Sequence, residues 1–480
     1  MNVFKNNNTG TLASADSLFG QMQRGQGRGF LGALKEDAEI VRKLLLECLM
    51  HDPRWDRQFE SRSSYYAGLI LRTALPLEIL DVYLRESAER NQHDILDLVL
   101  GTICELAVRN EVSAIAILRA YLSYGPEWGR AFEALMNTPD ASLSIEELSQ
   151  VLDQRFPDED ILQDELFAMG PLQGSTRQEP WQSLRLTNPR VNNILNGWER
   201  KIEQRRQHEE QVRRQFASLA SSELFAMVVD YRTEYLAAQR IQQVATSNDL
   251  DLLLEKAQEG DSRQRFVALS GLQHLANPAA LPILSAFFQS SDAQVGHLYG
   301  VARRAMIALP STITLDLARS WFDTPESLQR GIGLQILEAH ATAADVGRIQ
   351  NALLPSLWRD IPDSKECYMQ WSMLEILARF PEAGPYPEVE IVFKEAGHAY
   401  TRVYAAQVLH ATDSDRFARG LARECLWDCE EEARRIGCRT VSTERSYVQA
   451  RLQEMAYDPH EEVGELAKNR IDEYKKKMRR

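Results

Sequence analysis

From residue 222 to the end of the chain, apolar and polar positions alternate with a helical spacing that repeats about every 30 residues. The clearest copy is TRVYAAQVL at 401–409, where a small residue, Ala405, is followed four positions later by Leu409. The same pairing recurs with anchors at Ala237, Ala268, Ala302, Gly333, Met373, Gly437 and Ala467, the eight positions stepping by 31, 34, 31, 40, 32, 32 and 30 residues. Each anchor has an aliphatic residue or Met four places on: Ile241, Leu272, Met306, Leu337, Leu377, Leu409, Val441 and Ile471. Residues i and i+4 share one face of a helix, so every unit carries a helix with one narrow, closely packing stripe. A period of this length with one such helix per unit predicts a helical repeat array.

A small anchor lets a helix backbone approach the neighbouring repeat, and the aliphatic residue one turn on fills the core between them. Seven of the anchors are preceded by an apolar residue or Tyr, and Ser372 before Met373 marks the most degenerate unit. A second apolar segment precedes each anchor helix, for example 278–288 and 415–427. Asp261, Asp292, Asp363, Asp428 and Asp458 stand just before anchor helices, where a carboxylate caps free N–H groups. An Arg three residues before the anchor, at Arg265, Arg330, Arg402 and Arg434, is placed to bond loop carboxylates between repeats. The expected fold is all-α: an α-solenoid of antiparallel helix pairs over 222–480.

TRVYAAQVL and DPHEEVGELAKNRI at 458–471 resemble the second helix of HEAT repeats, and the short period resembles compact bacterial HEAT-like repeats and the relatives of bilin lyases. The tetratricopeptide and ankyrin signatures are missing. The resemblance covers roughly 222–471 and implies a platform for protein partners. It also brings two alternatives from the same architecture: a nucleic-acid-binding protein related to the alkylpurine DNA glycosylases, and a bilin-lyase-like chaperone for a small molecule.

Before the array, helical stripes such as Val41, Leu44, Leu45 and Cys48, or Ile115, Leu118 and Leu122, predict an N-terminal helical domain of divergent repeats over 34–156. Pro157, Pro171, Pro180 and Pro189 with Gly170 and Gly174 break the pattern, so 157–190 reads as a linker or long loop. A charged connecting helix follows over 191–221, its stripe of Val191, Leu195, Trp198 and Ile202 resuming at Val212, Phe216 and Leu219 after Arg205 and Glu209. Residues 1–33 are polar and Gly-rich and read as a flexible arm, with Leu18, Phe19 and Phe30 as docking points. Gly25, Gly27 and Gly29 lack the preceding strand and following Lys of a phosphate loop.

Charge narrows the function. A net charge of −14 makes nucleic acid an unlikely main partner, because phosphate binding needs a basic surface. No signal-peptide pattern and no run of about 18 apolar residues occurs, and the six scattered Cys suit a reducing compartment, so a cytoplasmic location without membrane insertion is expected. Cys425, Cys429, Cys438 and His410 have some of the chemistry of a zinc site, but their apolar helical setting favours core packing, and neither metal nor cofactor is expected. HExxH, GxSxG and P-loop motifs do not occur, so a non-enzymatic role is favoured and no catalytic residue is assigned. The densest cluster without a structural explanation is HDPRWDRQFESRSSYY at 51–66. Arg, Tyr and Trp are enriched at binding hot spots, so Arg54, Arg62 and Tyr65 are the candidate partner-binding residues, with Trp55 anchoring the turn. The expected function is a HEAT-like scaffold or adaptor for a protein partner.

Overall fold

The computed structural model describes residues 12–54, 60–89, 93–138, 144–169, 178–290, 296–324, 327–354, 364–458 and 460–478. Among these every regular element is a helix and none is a strand. The chain forms two compact units, one of 1–197, 352–374 and 381–480, the other of 198–351 and 375–380.

In the first unit, the helix His93–Val108 is the hydrophobic spine of the N-terminal region. Leu96, Val99, Leu100, Ile103, Leu106 and Ala107 are all fully buried. Around it pack Ser63–Thr73, Glu78–Glu89, Val112–Tyr124 and Trp128–Met136. Helix starts follow local chemistry. The Asp37 carboxylate accepts from the backbone of Glu39 at 2.9 Å, and Ser144 and Glu147 form a reciprocal capping box.

The segment expected as a flexible arm contains two short helices from residue 18 on, Leu18–Gln23 and Gly27–Ala33; residues 1–11 lie outside the described residues. Its glycines explain the docking. Gly25 has φ +64°, and a Cβ there would lie 2.5 Å from Cys429 Sγ. At Gly27 a Cβ would lie 1.8 Å from the Glu424 carbonyl oxygen. The Gly-rich stretch is thus a close backbone contact with the C-terminal helices. The Cys429 N–H donates to Gly25 O at 2.9 Å and the Gln26 side-chain amide to Lys394 O at 2.9 Å.

The expected linker at 157–190 is also corrected. It carries the helices Glu159–Met169 and Gln178–Thr187. Leu162, Leu166, Trp181 and Leu184 are buried, and Trp181 meets the Phe132 ring at 5.3 Å between centroids. The four prolines conceal a helical stripe; Pro157 and Pro189 sit at helix starts, where a missing N–H costs nothing. Asn188 caps the following helix, Pro189–Ala217, accepting from Arg190 and Val191 N–H at 3.1 Å. That helix has buried residues at Val191, Leu195 and Phe216 and exposed ones at Arg205 and Glu209.

In the second unit the anchors Ala237, Ala268, Ala302 and Gly333 fall on Tyr231–Val244, Ser262–Leu275, Gly296–Ala308 and Ser327–His340, each packed on the next. Leu250–Glu259, Leu281–Gln289 and Ser311–Phe322 are the intervening partners. In the first unit Ala405, Gly437 and Ala467 fall on Ala399–Thr412, Glu431–Thr440 and Glu461–Met478, again in sequential contact. All eight anchors, Met373 included, are buried. Their aliphatic partners are buried too, except Leu409 and Ile471, which are half-buried.

The direction of close approach differs from expectation at the two glycine anchors. A Cβ at Gly333 would stand 2.6 Å from Ala318 O and 2.7 Å from Phe322 N; one at Gly437 would stand 3.0 Å from Leu426 N and 3.1 Å from Ala422 O. Both anchors press against the preceding helix of their own pair. At these two repeats the glycine makes room for the partner helix of its own pair.

Candidate functional site

The residues of 51–66 that the structure describes are interior. Arg54, Arg62 and Tyr65 have 5%, 0% and 4% of their surface exposed. They do not form the recognition surface expected of them. Residues 55–59, with Trp55, lie outside the described residues.

Each of the three has an internal partner. Arg54 Nε donates to Asp52 at 3.0 Å and its Nη2 to Asp97 at 2.5 Å, while Asp97 also pairs with Arg130. Burial works against the Asp97 charge, but the guanidinium groups of Arg130 and Arg54 outweigh it and hold the carboxyl below its ordinary range. Arg62 pairs with Glu60 and donates to Gln23 O. Tyr65 donates from its hydroxyl to Gln26 O at 3.0 Å, its ring edge-on to Phe30 and Tyr66. Burial raises its phenol well above the usual value. Bidentate donors and amphipathic rings here serve the attachment of the N-terminal segment.

The network continues into the C-terminal helices of the same unit. His398 Nε2 lies 3.5 Å from Glu60 Oε1. Arg402 makes a two-point contact with Asp428, at 3.1 and 3.0 Å, and faces Cys429 Sγ at 3.5 Å. One repeat on, Arg434 Nε is 3.3 Å from Asp458 Oδ2. Arginines three before an anchor therefore pair with the loop acid ahead of the next anchor helix, as their spacing implied, at these two repeats. Asp261 instead caps its own helix, accepting from Arg263 and Gln264 N–H at 3.0 and 2.9 Å. Asp292 and Asp363 lie outside the described residues.

Glu430 is nearly enclosed, and burial, aided by the charges of Asp428 and Glu60, pushes its carboxyl up to about 8. Cys425, Cys429 and Cys438 are buried thiols; burial raises all three, Cys438 to about 12, which disfavours thiolate chemistry. Among the described residues no group of three or more His, Cys, Asp or Glu is placed to hold a metal ion.

Beside this network a cleft of about 440 Å³ opens to solvent. Four guanidinium groups line it: Arg72, Arg109, Arg434 and Arg451. Arg451 donates from Nε and Nη2 to Leu426 O at 3.2 Å, and its guanidinium lies over the Trp427 ring, 5.4 Å from the centroid. Glu454 is shared, accepting from Arg72 at 2.6 Å and from Arg451 at 3.1 Å. Arg434 donates to the carbonyls of Asp428 and Cys429 at 3.2 and 2.8 Å. Arg109 donates to Ser64 Oγ at 2.6 Å and lies 3.7 Å from Glu105. Burial lowers the pKa of both Arg109 and Arg451 despite their acidic neighbours, and Arg434 adds to the effect at each. Sequence reasoning marked Arg434 through its place in the repeat. Arg72, Arg109 and Arg451 carried no such signal, because they meet only when helices distant in the chain pack together.

No protein-family model, curated protein or solved structure matches this chain.

Proposed function

We propose that the protein is a non-enzymatic scaffold or adaptor of HEAT-like repeats, an α-solenoid in type, that binds a protein partner. The observation that carries this reading is the recurrence of the buried anchor at all eight positions with sequential contacts between anchor helices in each unit. Helices built this way bury one stripe against neighbours and leave successive, similarly oriented faces in solvent. Such faces are suited to holding an extended or irregular partner. The surplus of acidic over basic residues, 69 against 55, supports a protein partner over a nucleic acid.

The test is affinity purification of the tagged chain from its native host after brief chemical cross-linking. The expected result is a stoichiometric protein partner whose cross-links map to the repeat helices. Recovery of the chain alone, or of nucleic acid as the dominant associated species, overturns the reading.

A further inference from the structure

The cleft beside the buried network has features that a merely structural ion-pair cluster does not need. Structural pairs tend to be neutral and closed. This one is open to solvent, holds more positive than negative charge, and adjoins apolar surface in a chain whose overall charge is −14.

The charge count follows the contacts. Glu454 serves both Arg72 and Arg451, Asp458 serves Arg434, and Glu105 stands at a distance from Arg109. Asp428 also borders the cleft, but its carboxylate is engaged by Arg402. Three carboxylates thus answer four guanidinium groups, leaving one positive charge. Arg434 is 5% exposed along its side chain, and its buried Nε lies 3.3 Å from Asp458, so it contributes charge to the wall rather than an open donor. Among the described residues Arg109 hydrogen-bonds through Nη2 alone. Donors are therefore available at the mouth, on Arg109 and on the half-exposed Arg72.

We propose that this cleft binds one carboxylate of an acidic peptide segment in a protein partner, an aspartate or glutamate flanked by an apolar residue. This rests on the scaffold reading above and names the chemistry that its partner presents. A guanidinium fork matches a carboxylate in two-point geometry. A single surplus charge suits a monoanion, whereas a phosphate dianion or a polyanion meets repulsion from Glu454, Asp458 and Asp428. The apolar neighbour is accommodated by Leu71, which is 45% exposed, with the buried Met455 beneath the cleft; Tyr457, 88% exposed, stands at the rim. The volume suits about two side chains and lies within the range of ordinary ligand sites, roughly 300–1,000 Å³.

The experiment titrates the full chain with a capped pentapeptide carrying one glutamate between two leucines, its glutamine counterpart, and inorganic phosphate. Calorimetry gives the affinities, and thermal melting of each protein variant verifies the fold. The glutamate peptide is expected to bind at least tenfold more tightly than the glutamine peptide, and more weakly as salt rises. Arg109→Ala and Arg72→Ala, at partly exposed positions, are expected to weaken it by about tenfold with melting curves intact. Equal binding of the two peptides, no binding of either, binding of phosphate alone, or wild-type affinity in both variants overturns the proposal. Cross-linking from the host separates this from the scaffold reading. A partner recovered equally by wild type and Arg109→Ala removes the cleft from recognition and leaves the scaffold standing. The lack of any partner removes the scaffold, and the peptide titration still decides the cleft.

Discussion

Glu430 is a carboxyl group whose proton is retained by its surroundings. Its folded value near 8 stands above the ordinary value of 4.5, so the native state holds a proton that the unfolded chain releases between those limits. The stability associated with that proton is complete below about pH 4.5 and is lost as pH rises through 8, because the unfolded state binds fewer protons in that window. A tenfold difference in proton affinity between the two states corresponds to about 1.4 kcal/mol, and partial solvent relaxation reduces the total to a few kcal/mol. Glu430→Gln, which keeps the shape and removes the titration, is expected to flatten stability between pH 5 and 8.5 relative to wild type. Urea midpoints measured across that range check it, and parallel pH profiles for the two proteins refute it.

At the scale of elements, a loop acid joined to an Arg of the preceding anchor helix ties two successive repeats together. Arg402 and Asp428 are both almost fully enclosed and joined at two points. Removing one member leaves a buried charge without its partner, which costs about 3–5 kcal/mol, whereas replacing both by apolar residues costs much less. The expected result is that Arg402→Met and Asp428→Leu are each more destabilising than the double variant; additive losses in denaturant unfolding count against it. The helices at 159–187 make a second case. Trp181 fills the space beside Phe132, so Trp181→Ala is expected to lower stability by about 3–5 kcal/mol. A change within experimental error in the melting temperature returns the segment to the status of a loose connection.

For the first unit as a whole, the consequential contact joins residues 25–28 to residues 394–429. Gly25, Gln26 and Arg28 reach Lys394, Arg402 and Cys429 through backbone groups. Deleting residues 1–33 removes the Gly25 contacts of Arg402 and Cys429 and strips Tyr65 of its acceptor at Gln26. Amide exchange in Glu431–Thr440 and Ala399–Thr412 is expected to accelerate in the truncated chain, with Val112–Tyr124 changing less. Uniform protection in both forms contradicts the idea that the N-terminal segment completes this core. The arginine-lined cleft lies beside these contacts, lined by Phe30 and Tyr65 from one side and Trp427 and Asp428 from the other.

The sequence by itself determined the helical class, the eight anchors, the cap at Asp261, and the Arg–Asp spacing that became contacts at 402–428 and 434–458. These are properties of a single helix or of adjacent units, and an i, i+4 stripe is written wherever the helix is written. It left undetermined which neighbour a stripe meets, so the glycine anchors turned toward their own pair. The prolines and acidic residues of 157–190 concealed Leu162, Leu166, Trp181 and Leu184, because the stripe there is short and interrupted. Arg54, Arg62 and Tyr65 are the sharpest case. The same Arg and Tyr chemistry serves a partner interface or a buried network, and composition is identical for both. Burial was decided by Asp97, Gln23 and Gln26 arriving from other parts of the chain. The four arginines of the cleft come from helices far apart in sequence, so only tertiary packing assembles their shared positive charge.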